Sequence, residues 1–385
     1  MSYQKMPIKY LYIDDEQTRT LAPVLRLLNT PEIDIIHKQV YESFSAVIDD
    51  IKRNDYKGLI IDQQLNSVSE EGHKADYFGT TLAQQLRTEM VVGHITAIPL
   101  ILLSNENVIV ESYLPDDSSK DLFDFVIKKN ELDNQNKSTR AKKMLSSLVH
   151  VYDVARQFKK EPGIDLSNNE LCAIFNIELK SLDYMDTRFN DFIRSKANDT
   201  HSLVASLYSS LIQSAGMLVS ETMLLTKLGI AEDSNNWNDI KEMLADYQYK
   251  GPFSDLKSRW WFSGIEEWWY QVSPENVLQS LTCSERVKIL NERFGLNLSS
   301  IQLSYPQGDQ SEKLWVNCVV SDVPLDPYDA LRIRDPDAKA WEHPKYIDLR
   351  AYLDEDYDTI RYKIHVDDKS KVKKLISRLK PNVND

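Results

Sequence analysis

The stretch KYLYIDDEQ, residues 9 to 17, sets Leu11, Tyr12 and Ile13 directly before Asp14, Asp15 and Glu16. A run apolar enough to be buried thus ends on three carboxylates. Strands that deliver polar groups at their tips belong to open α/β sheets, where ligands collect at the carboxyl ends of the strands. Working outward, IKYLYI (8–13), GLII (58–61) and PLILL (99–103) are short apolar runs of the kind found in buried parallel strands, and LFDFVI (122–127) is a fourth. Between them Leu21, Val24, Leu25 and Leu28, then Phe44, Val47, Ile48 and Ile51, recur at helical spacing, so each stretch covers a sheet with one face. Strands alternating with helices over the first third of the chain predict a doubly wound α/β domain.

The tips of these runs carry the chemistry. Ile13 precedes Asp14 and Asp15, Ile61 precedes Asp62, Leu103 precedes Ser104, and FVI runs into Lys128. Three carboxylates converging on one edge repel one another. A hard divalent cation resolves that conflict; Mg²⁺ is held by one or two carboxylates, waters and phosphate oxygens. Lys128 and the Ser104 hydroxyl add a charge and a hydrogen bond suited to a phosphoryl group.

With YIDDE, LIID, LILLS and FVIK in this order, residues 1 to about 135 resemble the receiver domain of two-component response regulators. The resemblance implies a (βα)5 flavodoxin-like fold in which Asp62 is the phospho-acceptor. It implies Mg²⁺ held by Asp15, Asp62 and the backbone carbonyl of Gln64, with Asp14 acting through water. Ser104 and Lys128 would contact the phosphoryl oxygens, and Phe125 would be the rotameric switch. A histidine kinase would be the phosphodonor. Two departures stand out: Lys129 replaces the usual proline after the lysine, putting the expected cis peptide in question, and QQLNSVSEEGHKADYFG (63–79) lengthens the path from Asp62 to the helix near Thr80. A polar loop beginning at the acceptor is expected either to lid the site or to be a tolerated surface insertion.

Composition bounds the rest. A chain of 385 residues exceeds one usual core, predicting two or three domains. Its net charge of −13 opposes attraction to nucleic acid or an anionic membrane, so neither is an expected partner. Cys172, Cys283 and Cys318 lack metal-ligand or disulfide spacing, and no window approaches a spanning run of about 18 apolar residues. Together these predict a cytoplasmic protein.

Beyond the receiver-like part, residues 136–162 read as a connector helix, 163–295 as a mainly helical output region, and 296–385 as a small α+β part. Met144, Leu148, Val151, Ala155 and Phe158 recur at 4-3-4-3 spacing, which suits a last covering helix or a seam for a partner or homodimer over 144–158. The same spacing from Val204 through Tyr208, Leu211, Ala215, Leu218 and Thr222 to Leu225 predicts one buried central helix. Residues 260–270 crowd Trp260, Trp261, Trp268, Trp269 and Tyr270 around Gly264, as an aromatic core or a second partner surface. IQLSYP and LWVNCVV are expected to pair as a hairpin across QGDQSEK, and KSKVKKLISRLK to close the chain as a basic amphipathic helix. His150 and His201 lack phosphotransfer signatures. No HExxH, GxSxG or P-loop occurs, so the chain is not expected to be an enzyme.

The expected function is therefore a receiver that accepts a phosphoryl group on Asp62 and gates a protein-interaction output. Two alternatives stand beside it. One is a phosphate sink that buffers a sensor kinase, as in receiver proteins of kinase-based anti-phage systems such as Detocs, which the chain resembles in outline. The other is a receiver-gated effector enzyme.

Overall fold

A computed structural model describes residues 6–379 except 42, 66–74, 76, 114–120, 215, 303–311 and 355–362. It divides into two compact units: residues 1–174 with 193–208, and residues 175–192 with 209–385.

The first unit is built on strands β1 (Ile8–Ile13), β2 (Ile33–Lys38), β3 (Gly58–Ile61), β4 (Leu100–Ser104) and β5 (Phe125–Lys128). They form one sheet in the order β2-β1-β3-β4-β5, with every neighbouring pair parallel. This is the doubly wound flavodoxin-like order. Its apolar runs explain it: Tyr10 to Ile13, Leu59 to Ile61 and Leu100 to Leu103 are wholly buried, because helices cover both faces and leave no strand face for water.

The covering helices are α1 (Thr18–Leu28), α2 (Phe44–Arg53), α3 (Gly79–Val92) and α5 (Gln135–Gln157), with a single turn α4 (Glu106–Val108) after β4. Ser43 caps α2 by accepting from the Ala46 N–H, and Asn134 caps α5 by accepting from Asn136 and Lys137. Helix α5 belongs to this unit. Tyr10, inside β1, donates its hydroxyl to the Leu145 carbonyl at 2.8 Å, and Met144, Leu148, Val151 and Ala155 are buried. The 144–158 repeat is therefore buried within this unit rather than a free seam for a partner. The unit also takes in α6 (Asn168–Phe175) to Ile174, the end of α7 (Thr187–Lys196) and α8 (Thr200–Tyr208).

At the edge opposite the strand tips, Asp124 is almost wholly buried. It receives Arg87 at 2.8 Å and the Tyr152 hydroxyl at 2.8 Å, and lies 3.1 Å from His201 Nδ1. His201 Nε2 faces the Asp121 carbonyl at 2.7 Å. Burial pushes the Asp124 carboxyl up, but Arg87 and His201 outweigh it and hold it well below the usual range. His201 is thus part of a structural clasp, and His150 is exposed on α5.

The second unit holds β6 (Leu218–Ser220), α9 (Glu221–Leu228), α10 (Trp237–Met243), β7 (Arg259–Trp261), α11 (Phe262–Val272) and α12 (Cys283–Phe294). Three small antiparallel pairs join β6 to β7, β8 (Val316–Asn317) to β9 (Pro324–Leu325), and β10 (Leu331–Arg332) to β11 (Tyr346–Ile347). Helices α13 (Leu349–Leu353) and α14 (Lys369–Leu379) follow. All four tryptophans of residues 260–270 are buried, with Trp268 stacked on Phe294; only Tyr270 stands out at 66% exposed. That stretch is core, not a broad partner surface.

Two further expectations change here. The 204–225 repeat is not one helix. Helix α8 gives way to a wide turn at 209–213, and Gly216 precedes β6 at φ +155°. A Cβ on Gly216 would meet the Trp341 carbonyl at 2.9 Å, so close backbone packing interrupts the helical pattern there. The strand that pairs with Val316–Asn317 is Pro324–Leu325; the 301–306 half of the expected hairpin lies mostly outside the described residues.

Candidate functional site

The sheet order decides where the site falls. From β1 the chain moves outward to β2, then returns to the other side of β1 for β3, so the loops after β1 and β3 diverge and leave a crevice at their carboxyl ends. Asp14 follows β1 and Asp62 follows β3. The two loops are locked in step by the Asp62 N–H, which donates to the Ile13 carbonyl at 3.0 Å.

Asp14 is completely buried. The Tyr12 hydroxyl donates to its Oδ2, and the Glu16 N–H donates to its Oδ1 at 2.9 Å. Asp62 is also buried, and the Gln64 N–H donates to its Oδ2 at 2.8 Å. Between the carboxylates stands Lys129. Its Nζ is 2.7 Å from Asp14 Oδ2, 3.1 Å from Asp62 Oδ1 and 3.3 Å from Glu16 Oε1. One ammonium therefore contacts three acids drawn from two strand tips.

Lys128 is not this ammonium. Its Nζ pairs with Glu106 at 2.5 Å and Glu131 at 3.5 Å, on a half-exposed side chain. Successive residues of a strand point to opposite faces, so adjacent lysines at the end of β5 cannot both turn inward. Ile127 is buried, Lys128 faces out, and Lys129, first in a turn of 3₁₀ helix, faces the acids. Phe125, expected as the switch, is half-buried and registers with Ile101. No cis peptide bond occurs among the described residues.

Ser104 is buried at the tip of β4, in register with Lys128 on β5. Asp15 is half-buried, and its carbonyl accepts from Gln39 at 3.3 Å. Gln64 is exposed immediately beyond the acceptor. The opposite wall is set by Gly79 at the start of α3. Its N–H donates to the Gln63 carbonyl at 2.9 Å, and a Cβ there would stand 2.1 Å from the Asp62 carbonyl oxygen. Only glycine permits that approach. Most of the 63–78 insertion lies outside the described residues; Ala75 is buried, and the Tyr77 ring packs tilted against Phe44 with centroids 4.5 Å apart.

Electrostatics follow from burial. Burial, with the Asp14 charge adding to it, raises the Asp62 carboxyl to about 6 against the opposing pull of Lys129. Burial acts to lower Lys129, but Asp62 and Asp14 outweigh it and hold the ammonium above its ordinary value. Asp62 is thus poised to ionise near neutrality beside a fixed positive charge.

Among the described residues no three or more His, Cys, Asp or Glu side chains are gathered to hold a metal ion. The donor chemistry nonetheless suits Mg²⁺, which needs only one or two carboxylates and completes its shell with water. Asp62 Oδ1 is buried with no hydrogen bond, meeting only the Lys129 charge, so a hard oxygen is left for such an ion.

Lys129 and Glu16 are the residues that sequence reasoning did not place in the site. Strand periodicity could have raised Lys129, since it sits two residues beyond buried Ile127. Tyr12 and Gly79 carry no comparable signal.

No protein-family model matches the chain, and no curated protein matches it. Solved structures match in part. A sensor protein from Polaromonas sp. JS666 is 14% identical with a TM-score of 0.25, covering 37% of this chain and 99% of its own. The RcsB response regulator of Salmonella typhimurium, described in DNA interaction, is 15% identical at a TM-score of 0.24, covering 51% and 97%. ChrA, a response regulator of a heme-sensing two-component system, is 14% identical at 0.22, covering 51% and 96%. With identities and scores this low, these neighbours carry nothing about the chemistry of this chain; its own strand order defines the fold. The charge-based expectation against nucleic acid gains no support from them. No helix among the described residues is long and apolar enough to cross a membrane.

Proposed function

We propose that the first unit is a phosphorylatable receiver in which Asp62 attacks the phosphorus of a histidine kinase's phosphohistidine. The observation that carries this reading is the buried Asp62 carboxylate with the Lys129 ammonium 3.1 Å from Oδ1, at the crevice of a β2-β1-β3-β4-β5 parallel sheet. In-line attack forms the Asp62 Oδ–P bond as the bond from phosphorus to the histidine nitrogen breaks, and the nitrogen leaves with that electron pair. Charge accumulates on the equatorial oxygens, and a fixed ammonium beside them lowers the barrier. Asp62 arrives ionised because Lys129 offsets much of its burial. The Gln64 N–H holds the carboxylate in place through Oδ2. Asp15, Asp62 and the Gln64 carbonyl would hold Mg²⁺, which supplies charge neutralisation at the transferring group. The Ser104 hydroxyl would take a phosphoryl oxygen.

The acyl phosphate adds roughly −1.5 to −2 charge to a pocket whose cation already serves three acids. Lys129 then redistributes between old partners and new, and that exchange is the local event through which the state would be read by a protein partner of the second unit. Labelling with acetyl phosphate and Mg²⁺ tests the reading. Wild-type protein should incorporate one phosphoryl group and Asp62→Asn none; labelling that persists in Asp62→Asn sinks it. A phosphorylation-dependent partner or change in hydrodynamic size would support a gated output, while rapid loading without either would favour a phosphate sink.

A further inference from the structure

The second unit contains a cavity of about 120 Å³ whose lining includes Ser220, Lys227, Arg259, Asn317, His343 and Lys345. No Asp or Glu lines it, in a chain with 59 acids against 46 basic residues. The loop bearing His343 is brought in by Gly216, whose missing Cβ lets the Trp341 carbonyl and the His343 N–H close on the backbone.

Lys227 is the unusual member. It is 3% exposed on α9, with Nζ 4.2 Å from the Phe262 ring centroid and 4.0 Å from that of Trp315. Its one hydrogen bond goes to the Trp315 carbonyl at 3.3 Å, and among the described residues it has no ion pair. Two of its three ammonium protons therefore lack a hydrogen-bond acceptor among the described residues. Close by, Arg286 is fully buried, lies 5.4 Å from the same Trp315 ring, and spends its donors on the carbonyls of Thr226, Lys227, Leu281 and Leu314. Two buried cations share one aromatic ring, and among the described residues neither has an ion pair; Glu266 and Glu285 act on them only through their charge. Such charges are costly unless something pairs them.

The walls do not supply that partner. Arg259 donates to the Ile212 carbonyl at 2.7 Å, and Lys345 pairs with Asp335 at 2.9 Å. Burial lowers Lys227 to about 7; Glu266 opposes the shift and Arg286 adds to it. Burial and the Lys227 charge also lower His343. Tyr346 completes this side as a phenol. The cavity has room for several waters or one small ion.

We propose that this cavity binds a small oxyanion-bearing ligand, an organic carboxylate or a phosphate, with Lys227 as its principal counter-charge and Arg259, His343 and Lys345 on the surrounding walls. An arriving anion favours the ammonium form of Lys227, so binding draws a proton from solvent above neutrality and strengthens as pH falls. The site lies wholly within the second unit and does not depend on the receiver reading.

Calorimetry on the full chain, with inorganic phosphate and separately with succinate, tests this. At least one anion should bind more tightly at about pH 6 than at about pH 8.5 and take up a proton at the higher value, as buffers of different ionisation heat will reveal. Lys227→Met, which keeps length and apolar packing, should weaken binding by about tenfold or more. Phosphate alone binding assigns a phosphate ligand, and succinate alone a carboxylate. Asp62→Asn should bind as wild type does. If Lys227→Met melts below wild type, Lys345→Met carries the same test with about a threefold loss. The proposal is overturned if neither anion binds at about 10 mM, if binding is equal in wild type and the lysine variant tested, or if Asp62→Asn alone abolishes it.

Discussion

Lys129 Nζ lies 3.1 Å from Asp62 Oδ1 while its neighbour Lys128 pairs with Glu106 and Glu131. Two adjacent lysines thus have opposite fates at one strand end. If Lys129 stabilises the transferring phosphoryl group, Lys129→Ala should slow acetyl phosphate labelling by about 10²-fold, as removal of a preorganised electrostatic partner does. Lys128→Ala should change the rate by less than about threefold. The reverse ranking, measured by initial rates of ³²P incorporation, would return the role to Lys128.

The raised carboxyl of Asp62 makes a signed prediction about stability. Its folded value of about 6 exceeds the ordinary 3.8, so the native state binds a proton more tightly than the unfolded chain. Asp62 therefore contributes stability below about pH 4 that is lost as pH rises through about 6. Asp62→Asn should raise urea-unfolding stability near pH 7.5 by about 1 kcal/mol, because a buried anion becomes neutral. That gain should shrink below pH 6. A variant less stable than wild type at pH 7.5 would show that the Lys129 attraction dominates instead.

Labelling should carry the same titration. Attack needs the carboxylate, so with the Asp62 carboxyl near 6 the rate should fall about tenfold per pH unit well below that value. A rate flat down to pH 4.5 would mean that Asp62 ionises as an ordinary surface acid.

The buried Asp124 clasp should behave as an unforgiving pair. Arg87→Leu strands a carboxylate that is held far below its usual value, and should cost about 3–5 kcal/mol in urea unfolding. The double variant Arg87→Leu, Asp124→Asn should recover more than half of that loss. An additive pair of losses would contradict the coupling.

Gly79 offers a purely steric test. An added methyl group would stand 2.1 Å from the Asp62 carbonyl oxygen, so Gly79→Ala must shift either α3 or the acceptor loop. We expect labelling to drop about tenfold or more. Gly93→Ala, at an open position at the other end of α3, gives the comparison for helix-cap strain alone.

The sheet and the acceptor were legible in the sequence because each rests on local pattern. Residues 10–13, 59–61 and 100–103 are apolar throughout, which suits a strand buried on both faces, and Asp14, Asp15 and Asp62 stand just beyond the first two. The 4-3-4-3 repeat in 144–158 showed an apolar helix face but not its partner. The Tyr10 hydroxyl bond to the Leu145 carbonyl and the burial of Met144, Leu148, Val151 and Ala155 place that helix inside the first unit. The 204–225 repeat misled because periodicity is blind to a distant backbone, here that of Trp341, pressing on Gly216.

What the sequence determined by itself was the sheet and which acids reach its edge, since burial pattern and strand period are properties of neighbours along the chain. Tertiary structure decided which lysine serves those acids, and brought Lys227, Arg259 and His343 together around a cavity without a carboxylate. The physical reason is the same in both cases: charge pairing depends on distance in space, and the residues concerned lie up to 116 positions apart, from His343 back to Lys227.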